Sequence, residues 1–182
     1  MTQRTLTRAV SLARRVVRLA RRQQAGRPGA GGSTRARRRG PSGSRAPGAT
    51  PAYAGDFTGT PPITYEPVMD DLADPGEVVW TWVPYEEDHT RGKDRPVLVI
   101  GRHDGRLLAL QLTSQDHDGE DEARRGRYWV EVGSGAWDRQ RRPSEARVDR
   151  VLQLDPEGVR RIGAVLPREV FDHVAEQVRR RV

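Results

Sequence analysis

Short runs of alternating hydrophobic and polar residues, typical of β-strands, begin at about Pro75 and continue through much of the remaining chain. The run GEVVWTWV, from Gly76 to Val83, is rich in β-branched and aromatic residues and predicts the first strand. Two further runs, RPVLVIGR and LLALQLTS, flank Asp104-Gly105, a dipeptide favoured in hairpin turns. YWVEV (Tyr128–Val132) and ARVDRVLQL (Ala146–Leu154) predict two later strands.

The end of the chain changes from strand to helix patterning. Asp155 and Pro156 are suited to the N-cap and first position of a helical turn. The closing segment LPREVFDHVAEQVRRRV has valines at 170, 174 and 178, a spacing of four that predicts an amphipathic helix. Several antiparallel strands followed by helices indicate an α+β fold, or a small β-barrel with a C-terminal helix, over residues 75–182.

Residues 1–24 have a different, helical pattern. Leu6, Val10, Ala13, Val17 and Ala20 form one apolar stripe, and arginines cover the opposite face. This basic amphipathic helix is suited to weak contact with an anionic membrane or with RNA, and a targeting segment or a tail without its own task has the same composition.

Residues 25–74 join the two parts. Gly, Pro, Ser and Arg dominate up to about Pro62, which predicts a disordered linker, because little apolar surface is available for burial. Scattered apolar residues between prolines then suggest an extended strap across the domain; they are Tyr53, Phe57, Ile63, Tyr65 and Val68.

Charge is divided unevenly along the chain. Residues 1–50 contain 13 arginines and no acidic residue, so the net +7 of the whole chain leaves −6 for residues 51–182. Any polyanion site in the domain must therefore be a local cluster of positive charge. The chain has no cysteine, which excludes disulfides and cysteine-based zinc sites, and no apolar run approaches the roughly 20 residues of a membrane span. We expect a cytoplasmic protein.

A polar loop before the second strand carries the most informative chemistry. Arg95 precedes Pro96 at a strand entrance, and its guanidinium can bind a phosphate through two hydrogen bonds. His89, six residues earlier, can exchange a proton near neutral pH. Thr113 closes the next strand, and in an antiparallel hairpin that end lies beside the start of its partner, where Arg95 is.

Other candidates have an ordinary structural alternative. Arg147 and Asp149 share one face of a predicted strand, where they form either a site or a sheet-face ion pair. The acidic run Asp116–Glu122 lacks the spacing of a calcium loop, so it is read as a solvated loop and no metal site is assigned. Trp80, Trp82 and Trp137 either stack on an RNA base or belong to the core.

The ordered motifs PGEVVW, RPVLVI, LTS and RVDRVLQLDP, followed by an amphipathic helix, resemble the MazF/PemK family of toxin endoribonucleases over about residues 75–182. The resemblance implies an SH3-like barrel, a homodimer, a cognate antitoxin, and metal-independent cleavage of single-stranded RNA without a cofactor. The usual loop is replaced by residues 87–92, and an arginine common later in the family is Leu152 here.

The resemblance also implies roles for individual residues. Arg95 and Thr113 are expected to stabilise the phosphate, and Arg147 to add a second phosphate contact. His89 is expected to act as acid or base, and Asp149 as a base. The residues expected to bind flanking RNA are Arg91, Lys93, Ser114 and Gln115. Two alternatives stay open: a catalytically weak barrel that binds nucleic acid or a partner protein, and a membrane-surface regulatory protein anchored through residues 2–24.

Overall fold

The computed structural model describes residues 53–68, 70–117 and 120–182. The predicted N-terminal helix and the linker up to residue 52 lie outside these residues. Within the described part of the chain, no helix has the length and apolar character needed to cross a membrane.

Seven strands form one antiparallel sheet. The sheet order is β4-β5-β3-β2-β1-β7, and β6 pairs separately with β3. The strands curl into a half-barrel with a helix at the C-terminus, which confirms the predicted fold class. The elements in chain order are β1 Glu77–Pro84, β2 Gly92–His103, β3 Arg106–Thr113, α1 Glu120–Arg124, β4 Trp129–Gly133, β5 Ser144–Arg147, β6 Leu152–Leu154, a 3-10 turn Pro156–Gly158, β7 Arg161–Val165, and α2 Arg168–Arg181.

The hairpin formed by β2 and β3 is the centre of the sheet. Its turn is the predicted Asp104-Gly105 pair, and both residues have positive φ, 45° and 78°, as a two-residue hairpin turn requires. Near the other end of the hairpin Val97 pairs with Gln111. This register determines which polar residues meet where the strands open.

Both faces of the hairpin are buried, because side chains alternate along each strand. Leu98, Ile100, Leu108 and Leu110 belong to a cluster that also contains the buried residues of α2. Their neighbours Val97, Val99, Leu107 and Ala109 belong to a second cluster on the opposite face. Burial on both faces gives the site a rigid base.

The predicted single strand over residues 146–154 is wrong, because the structure divides it into β5 and β6. Leu112 pairs with Ala146, and Ala109 pairs with Leu152. Between these two pairs, β3 has two residues (110–111), whereas the segment opposite it has five (147–151). The extra residues form a bend that begins at Val148 and contains Asp149. Arg147 and Asp149 therefore do not share one strand. Strand β7, which pairs with β1, was not predicted.

An extended segment, residues 53–68, lies along the sheet. Its backbone forms bridges between Asp56 and Leu152 and between Ile63 and Gly101. Gly101 is required at its position, because a Cβ atom there would lie 2.1 Å from the carbonyl oxygen of Pro62. Contacts with the sheet thus extend to residues that precede the predicted domain boundary at 75.

Two apolar segments that a dimer interface could use, the run LLALQL and the valines of α2, are packed inside the monomer. In the run LLALQL every apolar side chain is buried, as are Val174 and Val178 of α2. Among the described residues, the exposed large hydrophobic side chains are Val165 and Val182. The homodimer stays a prediction, and these segments do not provide its surface.

Candidate active site

A cleft of about 230 Å³ opens where β2, β3 and β5 approach the loop that follows β1. Four arginines and three glutamates line it, so the two signs of charge nearly balance. The lining residues are Pro84, Tyr85, Glu86, Glu87, Arg95, Gln111, Thr113, Gln115, His117, Glu122, Arg127, Trp129, Arg147 and Arg150.

Arg95 and Thr113 meet in this cleft. Extending the Val97–Gln111 register by two residues brings them level on neighbouring strands. The guanidinium of Arg95 has no hydrogen bond or ion pair with any residue that the structure describes. The Thr113 hydroxyl oxygen accepts a hydrogen bond of 3.1 Å from the backbone N–H of Gln115. Because that bond uses only the oxygen, the hydroxyl proton remains available to a ligand.

Arg147 is held between two carboxylates. Its Nε and Nη2 donate to Asp149 Oδ2 at 2.9 and 2.7 Å, and its Nη1 donates to Glu86 Oε2 at 2.8 Å. Burial alone would lower the pKa of Arg147, but its hydrogen bonds to Glu86 and Asp149 outweigh this effect and raise the pKa. The hydrogen bond from Arg147 in turn lowers the pKa of Glu86. A phosphate would have to displace Glu86 to reach this guanidinium.

Asp149 has its two carboxylate oxygens engaged. Oδ1 accepts from the backbone N–H of Tyr128 at 2.7 Å, while Oδ2 accepts from Arg147. Asp149 does not contribute to the cleft lining. Arg147 and Asp149 therefore form an ion pair that supports the wall of the cleft, which is the structural alternative to a site that the sequence left open for them.

Several residues expected at the site lie outside the cleft. The exposed His89 packs edge-to-face on Tyr53, with ring centroids 5.0 Å apart. The guanidinium of Arg91 lies over the Tyr85 ring at 5.9 Å, and Lys93 and Ser114 are exposed beyond the lining. Of the four predicted RNA contacts, only Gln115 lines the cleft.

Arg150 lines the cleft, although it was not among the residues predicted from sequence. Its side chain is 5% exposed; Nε donates to Asp56 Oδ2 at 2.9 Å and Nη1 to the carbonyl of Pro84 at 3.2 Å. Its buried Nη2 has no partner in the described part of the molecule. The sequence signal that could have identified Arg150 is its position directly after the Arg147–Asp149 pair.

One wall of the cleft is aromatic, which was not predicted from the sequence. The ring of His117 stacks on Trp129, with centroids 4.3 Å apart and an angle of 10° between the planes. The tryptophans considered for base stacking lie elsewhere: Trp80 donates to the carbonyl of Trp137, and the buried Trp137 donates to Ser144. Trp129, at the start of β4, is therefore the tryptophan that lines the cleft.

The described residues contain no group of three or more His, Asp or Glu side chains arranged to hold a metal ion. The acidic run at 116–122 contains the start of α1, and its residues 118–119 are outside the described part.

A model of the family described as PemK-like, MazF-like toxin of type II toxin-antitoxin system matches residues 74–182. The chain belongs to this family. The resemblance predicted from its motifs is confirmed, and members of the family are endoribonucleases. Among solved structures, the chain is similar to MazE-MazF (Form-II) from Deinococcus radiodurans, with 22% identity over 60% of this chain and 94% of that one and a TM-score of 0.42. No curated protein matches the chain significantly.

Proposed function

We propose that this PemK-like, MazF-like chain is an endoribonuclease that cleaves single-stranded RNA without a metal ion. The observation that carries this proposal is the guanidinium of Arg95, which pairs with no described residue, beside the free hydroxyl proton of Thr113 in one cleft. Together they offer a cation and a neutral donor to the same phosphate. Such donors, fixed before the substrate arrives, stabilise the charge that develops in a transition state.

The chemistry uses a nucleophile that RNA supplies. The ribose 2′-oxygen loses its proton and attacks the adjacent phosphorus, and the bond from phosphorus to the 5′-oxygen breaks. The leaving 5′-oxygen takes up a proton. The products are a 2′,3′-cyclic phosphate and a 5′-hydroxyl. Arg95 neutralises charge on the non-bridging oxygens, Thr113 donates to one of them, and Gln115 contacts the flanking RNA.

Arg150 adds a second cation to this phosphate site. Its Nη2 has no hydrogen-bond partner in the described part of the molecule, while Asp56 and Pro84 fix the rest of the guanidinium. A buried donor without a partner is costly, so a phosphate oxygen or a water is the expected occupant.

The family suggests the partners of the chain. We propose a cognate antitoxin and a homodimer, because the family is one of toxins of type II toxin-antitoxin systems. We also propose that residues 75–182 form the catalytic domain, preceded by a basic helix at 1–24 and by a linker and strap at 25–74. Membrane contact through residues 2–24 stays a prediction.

A second function, RNA binding with little or no cleavage, is favoured by one observation. Arg147 and Asp149 are engaged with each other, and Glu86 occupies the remaining donors of Arg147. A barrel in this state can hold RNA through Arg95 while lacking part of its catalytic groups.

Cleavage of a mixed-sequence single-stranded RNA by the full-length chain in excess EDTA tests the proposal. The product ends are examined for cyclic phosphate. Arg95→Ala should lower the cleavage rate about 100- to 1,000-fold, which is the usual loss when one preorganised donor is removed. Arg95→Lys should restore little, because lysine offers a point charge without a planar pair of donors.

Arg139→Ala is the matched control, since Arg139 is an exposed arginine outside the cleft. Its cleavage rate should equal that of the wild type. Equal rates for Arg95→Ala and wild type would refute the proposed role of Arg95. A wild type that cuts nothing but binds a 2′-deoxy copy of the RNA would establish the binding function instead.

A further inference from the structure

The cleft contains a histidine to which no sequence motif assigns a role. His117 lies between the end of β3 and α1 and lines the cleft together with Arg95 and Thr113. Its ring is fixed by the stack on Trp129. Its backbone N–H donates to Glu145 Oε2 at 3.3 Å, which fixes the chain on the other side.

The two nitrogens of this ring are in different surroundings. Nδ1 lies 3.9 Å from Glu122 Oε2. Nε2 has no hydrogen bond with any residue in the described ranges, so it is the nitrogen available to a substrate. At 3.9 Å the carboxylate attracts a protonated ring without a hydrogen bond, and the opposite nitrogen is left to exchange a proton.

The same wall contains buried polar atoms whose hydrogen bonds are not satisfied. Glu122 Oε2 and Trp129 Nε1 are both buried and have no hydrogen-bond partner in the part of the chain that the structure describes. Native proteins rarely leave such atoms without a partner unless a water, an ion or a ligand completes the site. The wall therefore has the character of a binding surface and not only of a packed core.

The residues predicted for proton transfer are poorly placed for it. His89 lies outside the cleft against Tyr53, and both oxygens of Asp149 already accept hydrogen bonds. The leaving 5′-oxygen still requires a proton, and histidine supplies one efficiently near neutral pH.

We propose that His117 is the general acid of the cleft and that Glu122 positions its ring. This inference rests on the proposed endoribonuclease function. As the bond from the 2′-oxygen to phosphorus forms, the bond from phosphorus to the 5′-oxygen breaks, and the proton on His117 Nε2 passes to the 5′-oxygen. The proton of the 2′-hydroxyl goes to water, and His117 regains a proton from water after the products leave.

The groups around His117 come from five segments. Glu122 of α1 lies beside Nδ1, and Arg127, after α1, has its Nη1 3.8 Å from Glu122 Oε2. Glu145 of β5 holds the backbone of His117, and Trp129 of β4 covers the ring. Asp116 precedes His117 in the same loop. The pH dependence of cleavage should therefore reflect this cluster as a unit.

The test compares two RNA substrates that share the cut site mapped with wild-type protein. One is ordinary RNA, and the other has sulfur in place of the bridging 5′-oxygen, because a thiolate leaves without needing a proton. His117→Ala should cleave ordinary RNA about 100- to 10,000-fold more slowly than wild type, the usual contribution of a general acid. It should cleave the sulfur-containing RNA within a few-fold of the wild-type rate. His173→Gln, an exposed histidine of α2, is the matched control and should behave as wild type on both substrates.

Glu122→Gln is a second variant, which keeps the shape of the side chain. It should cleave ordinary RNA more slowly and move the descending limb of the pH–rate profile to lower pH, because the protonated ring loses its carboxylate neighbour. An unchanged profile overturns the positioning role.

The outcomes separate this inference from the proposed function. If wild type cleaves RNA and His117→Ala cleaves ordinary RNA equally well, the general-acid role is overturned and the endoribonuclease function stands. Equal losses on both substrates also overturn it, since they indicate a structural role. A wild type without cleavage activity would remove both proposals.

Discussion

Two walls of the same cleft carry an arginine in opposite electrostatic situations. On the β2–β3 wall, the guanidinium of Arg95 has no ion pair or hydrogen bond with the described residues, and Thr113 beside it keeps a free donor. On the β5 wall, Arg147 donates to Asp149 and Glu86 through every nitrogen of its guanidinium. Both arginines line the cleft, but only the first is available to a ligand.

The two guanidinium groups differ in whether a carboxylate of the protein already pairs with them. A buried arginine paired with carboxylates is part of the protein framework, because removing it leaves a buried negative charge without compensation. A guanidinium without a protein partner has its strongest interactions still to make, and those go to a bound phosphate. We therefore expect substitutions at Arg147 to affect folding first and substitutions on the β2–β3 wall to affect catalysis first.

The largest effect that separates the walls should be the loss of stability in Arg147→Met. The methionine leaves Asp149, whose side chain is 12% exposed, without its charged partner. Breaking a buried pair in this way typically costs about 3–5 kcal/mol. Urea denaturation of both variants measures the difference, with Arg95→Met as the matched control, expected within about 1 kcal/mol of wild type because no ion pair is lost. A similar loss in both variants would remove the distinction between the walls.

Thr113→Val should give the next largest effect, now on rate. Valine keeps the shape of threonine but cannot donate to the phosphate. A hydrogen bond to a charged group contributes about 1.5–3 kcal/mol, so cleavage should fall roughly 10- to 100-fold. Thr81→Val is the matched control, since Thr81 is a buried threonine that does not line the cleft. A rate loss in Thr81→Val as large as that in Thr113→Val would show that the effect arises from general destabilisation.

The smallest effect should be the pH dependence that Glu86 adds to stability. Its pKa is lowered in the folded state, chiefly by the hydrogen bond from Arg147. A lowered carboxyl pKa contributes stability that is present above the unfolded pKa and is lost as pH falls through the folded value. Because the Glu86 side chain is 46% exposed, we expect about 1 kcal/mol or less.

Glu86→Gln makes this contribution measurable. The free energy of unfolding of Glu86→Gln should fall below that of wild type at pH 7, and the gap should close on acidification below the ordinary range of glutamate. Glu87→Gln, a neighbouring exposed glutamate, serves as the comparison. A gap that stays constant with pH would mean that Arg147 does not depend on the charge of Glu86.

The sequence predicted much of the scaffold because its signals are local. Asp104-Gly105 is the turn of the β2–β3 hairpin, and the Asp155 side chain accepts from the backbone N–H of Glu157 at the predicted helical turn. The closing helix covers Arg168–Arg181. The break between β5 and β6 was missed although the alternation fails at Asp149-Arg150 and at Val151-Leu152, and the pairing with β3 shows where the register shifts.

The candidate site was predictable only where residues meet through a regular hairpin. Arg95 and Thr113 could be paired from sequence, because antiparallel register brings the two strand ends together. Glu86 and Arg147 are brought together by loops and bends, whose geometry has no sequence period. The same is true of the stack of His117 on Trp129.

The amino-acid sequence by itself determined the family, the antiparallel barrel with its C-terminal helix, and the hairpin that holds Arg95 and Thr113. These follow from periodicity, turn chemistry and ordered motifs, which are properties of neighbouring residues. Only the tertiary structure decided which charged groups are available to a ligand. It pairs Arg147 with Glu86 and Asp149, and it places His89 against Tyr53, outside the cleft. It also places His117 and Arg150 in the cleft. Availability depends on which partners lie within hydrogen-bond distance, and those partners come from segments far apart in the chain.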